Sequence, residues 1–121
     1  LSPFSIVSLD VKPAALTLNN LGQLKCSISN ADGWKALTVQ WSETYTSNVT
    51  LIQVNNTHPL TPTFTRTGIT VTENTLSSQS GHVTFIFNTT CHGANLVDYV
   101  CMVEMPDFEW REYQQVQIQR K

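Results

Sequence analysis

Two short segments each carry a cysteine on the apolar side of an alternating pattern, and few folds are open to a chain built that way. In LVDYVCMVEM, residues 96–105, Leu96, Asp98, Val100, Met102 and Glu104 fall on one side, and Val97, Tyr99, Cys101, Val103 and Met105 on the other. A period of two is that of a β-strand with one face in a core. QLKCSIS, residues 23–29, repeats the arrangement with Leu24, Cys26 and Ile28 on one face. A cysteine on the buried face of each of two strands points to a cross-link through a core. The chain also holds Cys91, so three single pairings are open, and spacing does not choose among them.

The length of 121 residues suits one domain with one core. Charged residues make up only 13%, and serine and threonine fill the gap, as in the run Thr61-Pro62-Thr63-Phe64-Thr65-Arg66-Thr67. Threonine suits the exposed face of a strand, and an apolar content of 40% is enough for a core rather than a disordered chain. A formal net charge of −2 leaves no electrostatic footprint for nucleic acid or an anionic membrane. No apolar run approaches the roughly 20 residues that span a bilayer, so a membrane tie is expected only through a segment outside this chain. Leu1 follows no legible signal peptide and reads as the start of a mature or excised piece of a larger protein. No CxxC pair is present and His92 merely follows Cys91, so no zinc pattern is expected; a disulfide implies an oxidising compartment.

Apolar spacing of two recurs along the whole chain, with turn signals between, and the fold class is all-β. Strands are expected at Phe4 to Val11, Ala15 to Leu18, Gln23 to Ser29, Ala36 to Glu43, Val49 to Val54, Phe64 to Val71, His82 to Asn88, within 96–105, and at Gln115 to Gln119. Pro13 interrupts the first, as proline does at an edge or a strand switch. Loops are expected at Asn30-Ala31-Asp32-Gly33-Trp34, from Asn55 to Pro62, from Thr72 to Gly81, and around Pro106-Asp107-Phe108. No repeat or linker divides the chain, so 1–121 is read as a single domain.

Taken in order, Leu24-Lys25-Cys26, Val39-Gln40-Trp41 and Tyr99-Val100-Cys101 resemble the immunoglobulin superfamily over nearly the whole chain. The resemblance implies an immunoglobulin-like Greek-key sandwich of two antiparallel sheets. In that fold a cysteine on strand B is bridged to one on strand F, and an indole from strand C packs on the bridge. A tyrosine two residues before the second cysteine bonds back at the E–F corner. It implies the disulfide Cys26–Cys101, with Trp41 and Tyr99 in the core and Trp34 as the rival indole. The 75 positions between the cysteines leave room for the extra strands of a variable-type domain. Two departures matter. Asn95 stands where the family usually has an aspartate that pairs with an arginine on strand D, here Arg66, and Asp98 has the wrong parity to replace it. Tyr113-Gln114-Gln115-Val116 lacks the glycine bulge of antibody domains, which argues against pairing in the antibody manner. More narrowly, LDVKPAALTLNNLGQLKCSIS and the threonine-rich middle resemble the N-terminal immunoglobulin domains of snail fibrinogen-related defence lectins, secreted proteins that bind pathogen surfaces.

No catalytic constellation is legible. His58, His82 and His92 are scattered, and neither a nucleophile elbow nor a phosphate loop is present. An enzyme is not expected, and no cofactor or metal is called for. Cys91 is either a buried thiol or the half of an inter-chain or inter-domain disulfide. Asn48-Val49-Thr50, Asn55-Asn56-Thr57 and Asn88-Thr89-Thr90 are N-glycosylation sequons, each at an expected strand end or turn where a glycan can project.

The variable-type resemblance gathers three loops at one end, bringing Asp32, Gly33 and Trp34 near His58, Asp107, Phe108 and Trp110. Aromatic groups beside acids have the composition of a recognition patch, though the same aromatics could instead fold over the sandwich end. Two functions follow as expectations. One is an extracellular recognition or adhesion module, of an immune or cell-surface protein, that binds a protein or glycan through the loop end or the face of strands G, F and C. The other is a spacer or homo-oligomerising module, joined through Cys91 or that face, beside a separate binding domain such as a fibrinogen-like lectin.

Overall fold

The structure, a computed structural model, describes residues 6–12, 15–17, 20–43, 48–64, 68–88 and 95–119. The described residues form ten strands: β1 (Val7–Lys12), β2 (Ala15–Thr17), β3 (Leu21–Ile28), β4 (Ala36–Glu43), β5 (Val49–Asn55), β6 (Thr63–Phe64), β7 (Thr70–Asn74), β8 (Gly81–Asn88), β9 (Leu96–Glu104) and β10 (Glu109–Gln119). One sheet has the order β1-β3-β8-β7, and the other β2-β10-β9-β4-β5-β6. Every pairing is antiparallel except β2 with β10. This is an all-β, immunoglobulin-like sandwich, with β5 and β6 extending one sheet beyond β4.

The inner faces follow the alternation of the sequence. Leu24, Cys26 and Ile28 on β3 are buried, with Val83, Phe85 and Phe87 on β8. They meet Leu37, Val39 and Trp41 on β4 and Val97, Tyr99, Cys101 and Val103 on β9. Cys26 and Cys101 are bonded across the core, with their Cα atoms 6.3 Å apart. Val39 stands opposite Cys101, and Trp41 stands opposite Tyr99. The indole therefore lies two rungs away from the cysteine's own, where a valine occupies the facing position. The Phe87 ring lies 5.4 Å from that of Tyr99. Burial pushes the Tyr99 phenol above its ordinary pKa, because ionisation would leave a phenolate in an apolar core.

Several expectations need correction. The strand expected from Phe64 to Val71 is two strands in different sheets: β6 ends at Phe64, and β7 begins only at Thr70, after Gly68. β7 then runs to Asn74, inside the expected turn from Thr72 to Gly81. Its register shifts between Val71 and Glu73, leaving Thr72 as an extra residue whose hydroxyl donates to the Thr84 carbonyl at 3.3 Å. That bulge breaks the alternation that would have marked the strand. β10 starts at Glu109 rather than Gln115, so Trp110 belongs to a strand and not to a loop. The register of β5 also slips, from Val39 opposite Ile52 to Gln40 opposite Thr50, and both Leu51 and Ile52 are buried. Cys91 and Arg66, with the expectations placed on them, lie outside the described residues.

Candidate recognition site at the loop end

Strand register brings four connections to one end of the sandwich. Ile28 pairs with Gly81, Ala36 with both Asn55 and Glu104, and Glu109 with Glu104. The β3–β4, β5–β6, β7–β8 and β9–β10 connections therefore share that end. They are tied to one another through the backbone. Ala31 N–H donates to the Gln79 carbonyl (2.9 Å), Lys35 N–H to Glu104 (2.7 Å), and Asn56 N–H to Lys35 (3.0 Å).

Trp34 sits at the centre of this network, and of its two expected placements, an exposed binding indole or one folded over the sandwich end, the structure has the second. It is 1% exposed and part of the core, although it lies in a glycine-flanked loop. Gly33 takes φ +83°, a left-handed turn that suits a residue without a side chain and turns the chain back on itself before the indole. The indole N–H donates to the Ser77 carbonyl at 2.9 Å, so its polar edge is satisfied inside the end cap. Asn56 Nδ2 then donates to the Trp34 carbonyl at 2.7 Å. One residue thus links the β3–β4 connection to its neighbours, through its indole to β7–β8 and through its backbone carbonyl to β5–β6. Trp110 is corrected: it is half-buried on β10, packed against the core, with its ring 6.4 Å from Phe108 in an edge-on arrangement.

What stays exposed is smaller than the sequence implied. Phe108 is 52% exposed, and Asp32, Asp107 and His58 are on the surface. Between the β3–β4 and β5–β6 connections lies a cleft of about 420 Å³, lined by Gly33, Trp34, Lys35, Asn56 and Thr57. Pro106 borders it, since its ring carbon lies 3.8 Å from where a side chain on Gly33 would begin. A second, more polar hollow of about 370 Å³ is lined by Asn30, Asp32, Gln79 and Ser80. Lys35 is exposed and has no ion pair among the described residues. The site can therefore offer an open, shallow cleft, one ammonium group, amide and hydroxyl donors and acceptors, and a neighbouring phenyl ring. No cluster of three or more metal-ligating side chains occurs among the described residues.

Sequence reasoning missed Lys35, Asn56, Thr57 and the whole β7–β8 connection. Asn56 and Thr57 were read only as parts of a sequon, and no local signal marks Ser77 as an acceptor for a distant indole. Of the three sequons, Asn55 is exposed at the loop end. Asn48 and Asn88 are exposed at the opposite end, where Val49 pairs with Trp41 and Asn88 with Leu21. On the outer side of β7 and β8, Glu73 accepts from His82 Nε2 at 2.5 Å, and Thr75 Oγ1 contacts His82 Nδ1 at 3.2 Å. The His82 hydrogen bond, reinforced by its charge, holds the Glu73 carboxyl below the usual carboxylate range.

Comparison with protein-family models and with curated proteins finds no match to this chain. The fold and the disulfide rest on the molecule itself: two sheets, ordered β1-β3-β8-β7 and β2-β10-β9-β4-β5-β6, bridged by Cys26 and Cys101.

Proposed function

We propose that this chain is an immunoglobulin-superfamily recognition module of an extracellular immune or cell-surface protein, binding a protein or glycan ligand through its loop end without catalysis. The observation that carries this reading is the cleft of about 420 Å³ between the β3–β4 and β5–β6 connections, set on a floor tied together by Trp34 and Asn56. A cavity held by cross-bonded loops is pre-organised, so little ordering entropy is lost when a ligand enters. Phe108 adds an exposed ring beside it, the kind of anchor that interfaces favour. The disulfide is compatible with an extracellular setting.

The test is a screen of the secreted, oxidised domain against immobilised glycans and a panel of cell-surface and secreted proteins. Any ligand found is then re-measured with Phe108→Ala, Lys35→Ala and, at the opposite end, Leu21→Ala. Loss with the first two and retention with the third supports the loop end. Binding indifferent to all the loop-end changes refutes it.

One observation favours a second reading, a spacer or oligomerising domain. The outer face of the six-stranded sheet exposes Tyr113 and Leu96, with Val100 covered between the strands. A concentration-dependent dimer in sedimentation that Tyr113→Ala abolishes would favour this second reading over the first.

A further inference from the structure

We propose that an N-glycan on Asn55 stands at the mouth of the loop-end cleft and gates access to it, a regulation that rests on reading this cleft as the recognition site. The argument begins with position. Asn55 is the last residue of β5 and is exposed, while Ile52 and Val54 beside it are buried. Its side chain therefore emerges on the outer face of the six-stranded sheet, opposite Ala36. The next rung toward the loop end is formed by Lys35 and Asn56, joined by a 3.0 Å backbone hydrogen bond, and both line the cleft. The acceptor asparagine is thus one rung from the cavity.

The sequon and the cleft also share residues. Asn56 and Thr57, its second and third positions, are both in the cavity wall. Thr57 is exposed, and its hydroxyl contacts only the neighbouring His58 ring at 3.1 Å among the hydrogen bonds described. Asn56 is held by the Trp34 carbonyl, so the wall beside the glycan is fixed rather than free to swing away. A bulky, hydrated oligosaccharide rooted there sweeps the volume in front of the cleft. Sugars on Asn48 and Asn88 leave it open, because both residues lie at the far end of the sandwich. The arrangement admits slender ligands to the cleft and excludes a broad protein face while Asn55 is modified.

Lys35 supplies a reporter that needs no ligand. Its exposed amine lines the cleft, and Lys12 on β1, whose side chain is 68% exposed, serves as an internal reference. The domain is secreted from a glycosylating eukaryotic host, and site occupancy is read by peptide mass spectrometry. Acylation by the N-hydroxysuccinimide ester of a long polyethylene glycol, a bulky reagent of the kind the gate excludes, is then timed at Lys35 and Lys12. The expected result is an occupied Asn55 and a Lys35 rate, relative to Lys12, lowered roughly threefold or more by the bulky sugar. Asn55→Gln should restore the rate, and Asn48→Gln should not. Enzymatic removal of the glycan from the folded wild-type protein gives the same comparison without a substitution. An unoccupied Asn55, or an occupied one with an unchanged Lys35 rate, overturns the proposal. Loss of ligand binding in Lys35→Ala or Phe108→Ala is a separate measurement, so gating and recognition can fail independently.

Discussion

Truncation of Trp34 to alanine is the sharpest test of how the loop end is held. The indole is 1% exposed and contributes its N–H to the Ser77 carbonyl. Removing a fully buried tryptophan from a packed site costs about 3–5 kcal/mol. Within that figure the hydrogen bond contributes about 0.5–1.5 kcal/mol, and Trp34→Phe isolates most of it, with an expected cost of about 1–2 kcal/mol. Against a total stability on the order of 5–15 kcal/mol, the alanine variant should show a large fall in urea midpoint. The assay is equilibrium unfolding of the oxidised protein followed by far-ultraviolet circular dichroism, which avoids the changed tryptophan fluorescence. Phe108→Ala is the comparison, because its ring is half exposed and its loss should cost under about 1 kcal/mol. If Trp34→Ala cost no more than Phe108→Ala, the indole would not be the tie between the β3–β4 and β7–β8 connections, and the fixed floor of the cleft would lose half of its physical basis.

Gly81→Ala should destabilise by about 2 kcal/mol or more, read as a fall in Tm, since φ there is +120° and the new Cβ would meet the Thr75 carbonyl oxygen at 2.3 Å. Replacing Cys26 and Cys101 together by alanine should cost about 4–5 kcal/mol in the chain-entropy picture of a 75-residue closure, measured by denaturant unfolding. Glu73 has a depressed folded pKa, so its contribution is present above its ordinary value of 4.5 and is lost as pH falls through the folded value. Glu73→Gln should therefore lie below the wild type in urea midpoint near neutral pH and converge with it in acid. Tyr99 has a raised folded pKa, so its contribution is full below its ordinary value of 10.0 and is lost above it. In an alkaline spectrophotometric titration Tyr99 should stay protonated until the domain unfolds.

The framework was legible because it rests on short-range alternation. Ala36 to Glu43 was read with the bounds β4 has, and the buried parities of β3 and β9 were plain from Leu24-x-Cys26-x-Ile28 and Val97-x-Tyr99-x-Cys101. What was illegible depended on partners distant in the chain. The first half of β10, EWREYQ, holds too few buried residues to show a strand period; it is extended because β9 offers it a ladder. β7 carries a bulge that shifts its parity midway. For Trp34 the sequence leaves two readings level, a binding residue or an indole folded over the sandwich end, and the structure has the second. Its burial needs the Ser77 carbonyl, 43 residues away, which no local pattern announces. The sequons were found at once, yet their distribution, two at one end and one beside the cleft, exists only after the strands are paired.

The half-covered flank of β10 sets a limit on how these domains can associate. Among the described residues β2 pairs only with Gln117, Ile118 and Gln119, and the edge of β10 before them has no strand partner, being tied instead by the Val11 N–H donated to Gln114 Oε1 at 3.2 Å. A bare margin is a template on which another chain can add a strand. Here the outward positions carry Glu109 and Arg111, paired with each other. Glu112, across from Cys101, has the inward parity yet remains only half-buried. A strand added alongside would press that carboxylate toward the core and strip its water, at a cost no ladder hydrogen bond offsets. Glu112 is thus a gatekeeper against run-on sheet growth, and a chain with Glu112→Val should trade solubility for edge-to-edge polymers.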